Sequence, residues 1–299
     1  MNVAVVGGSG FIGRHVVARL TGMGAQVVTL DRREPPRLLD TERFVAADLS
    51  SADQAETAAR ACRAVTEVAW LAAEIRHRTG VDEQSCEDLR VMVEGPLRFL
   101  AALPAAPRAL VYASSIQVYG HPRYLPVDED HPTDPITAYG VGKLAAERFL
   151  SIACAARGTA MASLRLAFVY GPGQHPENVI PRFISRARNG EPPVVHGDGS
   201  EVRDDVYVED VARAVGLALS LRADGPFNIA GGRPRTLLEV AEAVCALAPG
   251  ALKPRHVDAP SRWVDRWFTV ERARSSLGFT ASTALEDGLR AMWLEAGNR

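Results

Sequence analysis

Lysine is nearly missing from this chain. Of 34 basic residues in 299, only Lys143 and Lys253 are lysines; the rest are arginine. Nothing gathers that charge into a stripe. With 36 acidic residues the net charge is −2 and the pI lies near 6.4, which gives no footing for a nucleic-acid partner or an anionic membrane surface. Long apolar runs are missing too, since none approaches the ~20 residues that a bilayer span requires. Met1-Asn2-Val3-Ala4-Val5-Val6 runs straight into glycines, without the basic and apolar regions of a secretory signal. The four cysteines, Cys62, Cys86, Cys154 and Cys245, form no C-x-x-C pair. They read as small buried apolar residues in a reducing cytoplasm rather than as zinc or redox ligands. The seven histidines are scattered without ligand spacing, so no metal is expected.

What is present is a chain with 47% hydrophobic residues, enough for one or two domains with a large core. Its first half alternates short β-rich segments with helical stretches. Strands are expected at Asn2–Val6, Gln26–Leu30, Arg43–Ala47, Val65–Ala72, Arg108–Ser114 and Ala160–Leu166. Helices are expected at Phe11–Thr21, Ala52–Ala61, Gln84–Leu103 and Ile136–Ala156. That alternation predicts βαβ units, hence an α/β, Rossmann-type, doubly wound parallel sheet covered on both faces. After Tyr170 the texture becomes less regular. Gly171-Pro172-Gly173 and Pro192-Pro193 mark turns, and shorter elements follow near Ile180–Asn189, Val194–His196 and Val208–Leu219. Residues 1–170 are read as a dinucleotide-binding domain and 171–299 as a smaller substrate lobe, with the chain returning to the first domain around 205–230.

Gly7-Gly8-Ser9-Gly10-Phe11-Ile12-Gly13 follows the first strand and opens the first helix. It satisfies both G-x-G-x-x-G and G-x-x-G-x-x-G. The strand–turn–helix context is what gives such a pattern meaning: glycine lets the backbone approach a pyrophosphate, and the helix start offers it free N–H groups. The second strand ends at Asp31, 18 residues past Gly13. A carboxylate there accepts a ribose 2′-hydroxyl and repels a 2′-phosphate, which favours NAD. Arg32 and Arg33 follow at once and keep NADP open. Asp48-Leu49 can meet the adenine; Asp48 can equally cap the helix over Ser50–Arg60.

Tyr139 and Lys143 stand four residues apart in an expected helix and so share a face. A cation beside a phenol lowers its pKa and makes it usable for proton transfer near neutral pH. Ser114-Ser115-Ile116-Gln117-Val118-Tyr119-Gly120 follows the fifth strand, where hydroxyls point into the ligand crevice of an α/β sheet.

This ordered set resembles the extended short-chain dehydrogenase/reductases, the NAD-dependent sugar-nucleotide epimerases and dehydratases. The resemblance includes Leu71-Ala72-Ala73 and continues through Arg165, Tyr170-Gly171-Pro172-Gly173, Asn178-Val179-Ile180-Pro181, Arg203-Asp204 and Phe227-Asn228-Ile229. It implies that Tyr139 is the acid/base and Lys143 its partner on the nicotinamide ribose. Ser115 shares the substrate hydrogen bond. Gly7, Gly10, Phe11, Ile12, Gly13, Asp31, Arg32, Asp48, Leu49, Leu71, Ala72 and Ala73 surround the cofactor. Asn178, Arg203, Arg262 and Asp265 grip the diphosphate and sugar. It also implies a homodimer built on the two long helices. A 4,6-dehydratase of this family carries an Asp-Glu pair where this chain has Ile116 and Gln117, so dehydration is not expected; the Cys of a fucose-type 3,5-epimerase/reductase is absent from position 117 as well. A 4-epimerase and an NAD(P)H-dependent 4-ketoreductase remain, with a non-catalytic dinucleotide sensor as a third reading. Trp70 and Met92 replace a His and an Asn common in the family and bear on the cofactor's fit. Trp263 and Trp267 line the sugar or base pocket or pack in the core.

Overall fold

The computed structural model describes residues 1–73, 83–258 and 264–297, apart from the side chains of 83, 84 and 86. Elements β1 (Asn2–Val6), α1 (Phe11–Gly22), β2 (Gln26–Asp31), β3 (Glu42–Ala46), α2 (Ala52–Ala61) and β4 (Glu67–Trp70) open the chain. There follow α3 (Glu83–Leu89), a π-helical turn (Arg90–Glu94), α4 (Gly95–Ala102), β5 (Ala109–Ser115), a 3₁₀ turn (Ile116–Tyr119), α5 (Ala138–Ala155) and β6 (Ala160–Leu166). The second half comprises β7 (Phe168–Tyr170), α6 (Val179–Arg188), β8 (Val194–His196), β9 (Val202–Arg203), β10 (Asp205–Tyr207), α7 (Val208–Leu221) and β11 (Gly225–Ile229). It closes with β12 (Arg235–Thr236), α8 (Leu237–Cys245), β13 (Arg255–Val257), α9 (Glu271–Leu277) and α10 (Leu285–Gly297).

Seven strands form one sheet in the order β3-β2-β1-β4-β5-β6-β11, every pairing parallel. Period-two alternation sorts their side chains onto two faces. Val3, Val5, Val111 and Ala113 join α1, α7 and α9 in one core; Ala4, Val6, Leu110 and Tyr112 join α2, α4 and α5 in the other. Each fully buried Val or Leu contributes ~1.5–3 kcal/mol relative to exposure, so both layers hold the sheet firmly. A third core, around Ile180, Phe183, Val195, Val240, Val244 and Leu289, binds α6, α8 and α10 together.

The expected helix Gln84–Leu103 is three pieces, for a reason written at Pro96. Proline has no N–H to donate, and its ring crowds the carbonyl four residues back. The chain widens into the π-helical turn just before it. The carbonyl left without its helical donor is that of Met92, and the Tyr112 hydroxyl donates to it at 3.2 Å. The expected helix Ile136–Ala156 begins at Ala138 instead, because Thr137 caps it by accepting the Gly140 N–H at 3.0 Å.

Strand order reverses between β1 and β4, since β2 and β3 continue on one side of β1 and β5, β6 and β11 on the other. In such sheets the crevice beyond the carboxyl ends at that reversal receives ligands. Two turns meet there at backbone distance. A Cβ on Gly7 (φ +79°) would fall 2.7 Å from the Ala72 nitrogen, and one on Gly13 only 2.1 Å from the Gly7 carbonyl oxygen. Gly13→Ala is therefore expected to destabilise the protein by about 1–3 kcal/mol or more. Gly22→Ala, at the end of the same helix with nothing within 4 Å, should be neutral or stabilising by up to about 1 kcal/mol. Urea midpoints of the two variants check the contrast; equal midpoints would contradict the close approach.

Candidate active site

The turn from β1 to α1 is a set of backbone donors. Gly10 caps α1 without any side-chain bond, so the first N–H groups of the helix, from Phe11 onward, are left to a ligand. Gly10 itself donates to the Gly7 carbonyl at 3.1 Å, which tightens the turn. The Ser9 hydroxyl is buried without a protein partner. Asp31 stands at the end of β2, its carboxylate accepting the Ser9 N–H at 3.1 Å and the Arg33 N–H at 3.3 Å. Leu71, Ala72 and Ala73 run from the end of β4 across this turn, Leu71 donating to the Val6 carbonyl at 2.8 Å. These residues fit a dinucleotide: bare amides for a pyrophosphate and an anchored carboxylate for a ribose hydroxyl.

Asp48 caps no helix. The helix over Ala52–Ala61 has Ser51 at its N-cap, and Asp48 instead accepts the Ser50 N–H at 2.9 Å and the Ser50 hydroxyl at 2.7 Å. The Ser50 hydroxyl bond holds its carboxyl below the usual range, with the charge of Arg32 adding to that. Arg32 thus stands near a carboxylate. Leu49 is buried, its carbonyl close against Gly95. Trp70 and Met92 are buried in the layer under this site, Trp70 edge-on to Phe99 at 5.8 Å with its indole N–H unpaired. Trp70 is core packing here.

At the end of β5, Ser115 caps the 3₁₀ turn by accepting the Gln117 N–H at 3.2 Å, and its hydroxyl lies near enough to the Tyr139 phenol to favour its ionisation. Gly140 has no Cβ, and one there would fall 2.6 Å from the Gln117 carbonyl oxygen, so α5 lies directly on this turn. The Gln117 side chain accepts the Thr137 hydroxyl at 2.8 Å. Lys143 is 1% exposed; its Nζ donates to the Ala113 carbonyl at 2.6 Å and lies 4.6 Å from the Tyr112 ring centroid and 5.6 Å from that of Tyr139. The structure brings Ser115, Tyr139 and Lys143 together. It does not reproduce the lowered phenol expected from the Tyr–Lys spacing. Burial pushes Tyr139 well above the usual tyrosine range, and the nearby Ser115 hydroxyl offsets only part of that. Burial also pushes Lys143 down to about 7, against an upward pull from Glu147. Desolvation outweighs the pairing.

In the second lobe, Asn178 stands at the N-cap of α6 and makes no capping bond. Arg203 lies over the Phe168 ring at 4.3 Å and donates from Nη2 to Asp205 at 2.8 Å, while its Nε and the second Asp205 oxygen are buried and unpaired. Asp265 accepts the N–H of Val202, the residue before Arg203, at 2.9 Å. The structure thus joins Asp265 to the Arg203 strand. Arg262 and Trp263 lie outside the described residues, and Trp267 is half-buried.

Sequence reasoning missed the polar network behind the site. Arg165 clamps Glu147 with Nε at 3.2 Å and Nη2 at 2.9 Å, all of it buried. Its Nη1 donates to the Tyr119 hydroxyl at 3.0 Å, which donates to Asn228 Oδ1 at 2.6 Å. The available signal was Glu147 itself, four residues beyond Lys143 on the same helical face.

A model of the NAD dependent epimerase/dehydratase family matches residues 3–230. The UDP-glucose 4-epimerase of Mycolicibacterium smegmatis is 32% identical over 97% of this chain and 96% of its own. The dTDP-6-deoxy-L-talose 4-dehydrogenase (NAD(P)(+)) of Kitasatospora kifunensis is 32% identical over 97% and 94%. The solved structure of MoeE5 in complex with UDP-glucose and NAD superposes with a TM-score of 0.85 at 34% identity, covering 100% of this chain and 99% of that one. The chain belongs to the NAD dependent epimerase/dehydratase family.

Proposed function

We propose that this protein is an NAD-dependent sugar-nucleotide 4-epimerase. The observation that carries the reading is that Ser115, at the end of β5, and Lys143, its Nζ 5.6 Å from the Tyr139 ring centroid, flank the Tyr139 phenol. When bound, NAD supplies the acceptor and donor of hydride. Tyr139 takes the proton of the sugar 4-hydroxyl and later returns it to the 4-keto oxygen. Ser115 holds the same oxygen and orients the phenol. Lys143 supplies the positive charge that favours the phenolate once Tyr139 must give up its proton. Asp31, pinned by the Ser9 and Arg33 amides, accepts the ribose hydroxyl and favours NAD over NADP. Residues 1–170, with 205–230, carry the cofactor; the remaining lobe carries the sugar nucleotide, with Asn178, Arg203, Arg262 and Asp265 on its diphosphate and sugar.

The two positions at which a dehydratase of this family carries its Asp-Glu pair hold no acid or base here. Ile116 is apolar, and Gln117 spends its side chain on Thr137 rather than standing as an acid or base. The ketoreductase reading is favoured by Arg32 and Arg33, by Trp70 and Met92, and by similarity to a 4-dehydrogenase and to trifunctional proteins with a keto-sugar reductase activity. Purified protein given UDP-, dTDP- and GDP-sugars should invert one of them at C4 with no net gain or loss of reduced cofactor. Net cofactor consumption with a 4-keto sugar and no inversion on any substrate would replace the epimerase by the ketoreductase. Tyr139→Phe should cut turnover by about 10²–10⁴-fold while leaving the unfolding midpoint and NAD affinity near those of the parent. A sensor protein would show no such loss.

The working form is a homodimer. α5 is apolar on both sides: its inner face carries Ala146, Leu150 and Cys154, while Val141, Phe149 and Ile152 are 50%, 54% and 70% exposed outside, next to an exposed Leu89 on α3. An outer apolar stripe on a helix already packed inside calls for a partner surface. Phe149→Asp combined with Ile152→Asp should turn a dimer into a monomer in light scattering; an unchanged mass would place the interface elsewhere. Cys62, Cys154 and Cys245 are free and buried, as suits a reducing cytoplasm. No helix among the described residues is long and apolar enough to cross a membrane.

A further inference from the structure

The inner face of α5 carries Tyr139, Lys143 and Glu147 at successive i, i+4 positions. Lys143 and Glu147 are 1% and 6% exposed, and Arg165 behind them is 4% exposed. Three ionisable side chains therefore share one dry space, two of them cations and one an anion. Both Glu147 oxygens are held by Arg165 in a two-pronged pair, at 3.2 and 2.9 Å. Arg165 is fixed in turn. Its Nη1 reaches the Tyr119 hydroxyl and the Glu129 carbonyl, and Tyr119 leads on to Asn228, whose N–H donates to the Glu129 carboxylate at 2.8 Å. Glu147 cannot swing towards Lys143 without breaking this lattice.

Among the described residues, the groups that face Lys143 are few. From α5 there are Tyr139 and Glu147; from β5 there are Tyr112 and the Ala113 carbonyl. From β6 comes Arg165, turned to Glu147. The π-helical turn and the end of α3 present Met92 and Leu89 to the same helix, at Gly142. Among the described residues the charge opposing the desolvation of Lys143 is that of Glu147. The Ala113 carbonyl accepts one of its three ammonium protons but cannot neutralise it.

We propose that Glu147, clamped by Arg165, is the positioning residue of the Tyr139–Lys143 pair: it is the counter-ion that keeps Lys143 protonated, and its sharing with Arg165 limits how strongly it does so. The proposal rests on the reading that Tyr139 and Lys143 do the chemistry. It concerns a charge state that can be measured without cofactor or substrate. The sign is fixed by electrostatics. Burial has brought Lys143 from 10.5 to about 7. Removing the anion lowers it further, and removing the competing cation raises it. Because the folded-state value lies below the unfolded one, the unfolded chain binds the extra proton between these values, and Lys143 makes the fold gain stability as pH rises from about 7 towards 10.5.

The scarcity of lysine makes the test direct. Protein grown on lysine carrying ¹³C at Cε shows two side-chain signals, Lys143 and the exposed Lys253, assigned with Lys253→Arg. The wild-type Lys143 signal should titrate near neutral pH. In Glu147→Gln its midpoint should fall by about one to three pH units, the range an opposite charge at close quarters supplies. In Arg165→Met it should rise. The alkaline limb of the kcat profile should move in the same two directions, which a merely structural role would not produce. A Lys143 midpoint that stays put in a folded Glu147→Gln protein overturns the proposal. Should that variant not fold, the Arg165→Met arm decides alone: a rise supports the counter-ion role, and no rise overturns it. Loss of sugar inversion with the Lys143 midpoints behaving as stated would refute the epimerase and leave the counter-ion standing.

Discussion

A lysine ammonium buried at 1% exposure sets the terms for the structure around it. Moving such a charge out of water costs several kcal/mol even after the protein relaxes. The fold answers with a carbonyl at 2.6 Å, an aromatic face at 4.6 Å and an anion one helical turn away. None of these is a direct ion pair. The anion is committed to Arg165, so Lys143 is stabilised at a distance and remains easy to deprotonate. An ion pair buried as Glu147–Arg165 is buried is weak ground for stability, because a well-packed apolar pair of the same volume often serves as well or better. What an apolar pair could not supply is a fixed negative charge on the inner face of α5. The cost of keeping two cations and one anion in the core is therefore best understood as the cost of a tuned lysine.

The same network explains how elements far apart in sequence deliver one site. Ser115 ends β5, Arg165 belongs to β6, Asn228 to β11, and Tyr139, Lys143 and Glu147 to α5. Strand register places Ser114 opposite Arg165 and Arg165 opposite Asn228. Tyr119, in the turn after β5, ties the last two together through its hydroxyl. Asn228 is wholly buried, and its amide donates to the Val127 and Thr269 carbonyls at 3.1 and 3.3 Å. The loop that follows the 3₁₀ turn and the segment before α9 are thereby fastened to the sheet. Each strand end is held by polar bonds whose loss would leave a buried group unpaired, at about 1–3 kcal/mol each. On the proposed reading, that is a stiff frame for the Tyr139 phenol to meet a sugar hydroxyl.

What the sequence made legible was whatever is local. The seven residues Gly7 to Gly13 needed only a strand before them and a helix after, and the i, i+4 spacing of Tyr139 and Lys143 needed only a helix. The alternating strands and helices predicted the parallel sheet for the same reason. Illegible were the effects that depend on what the chain packs against itself. Tyr119 and Asn228 are 109 positions apart and nothing in either segment points to the other. The π-helical turn depends on Pro96 and on a hydroxyl from β5 arriving at the Met92 carbonyl. The direction of the tyrosine's shift came out reversed because spacing reveals a neighbouring cation but not the depth at which both groups sit. Spacing gives the Coulomb contribution, whereas desolvation needs the fold.

Charge balance in the second lobe decides how a diphosphate would be held there. Arg203 lies flat on Phe168 and gives one Nη2–H to Asp205, and the pair is 17% and 5% exposed. An arginine neutralised in this way attracts a dianion less than a free one does, but its fork is aimed in advance and loses little freedom on binding. Arg203 Nε and Asp205 Oδ2 are both buried with no protein partner. Polar atoms left open in an otherwise closed ion pair are finished by water or by a ligand. Arg233 and Arg235 line a cleft with Asp205, Tyr170 and Glu286, and Arg235 faces Arg203 across the β9–β12 pairing. Arg235 is itself paired, 4.0 Å from Glu239 and 3.9 Å from Glu286, so long-range attraction for a phosphate on this side rests on the exposed Arg233. The inner pair contributes direction, because the Nη2–Asp205 bond holds the guanidinium in place. On the proposed reading, the lobe holds its substrate by a guanidinium oriented beforehand rather than by a surplus of positive charge.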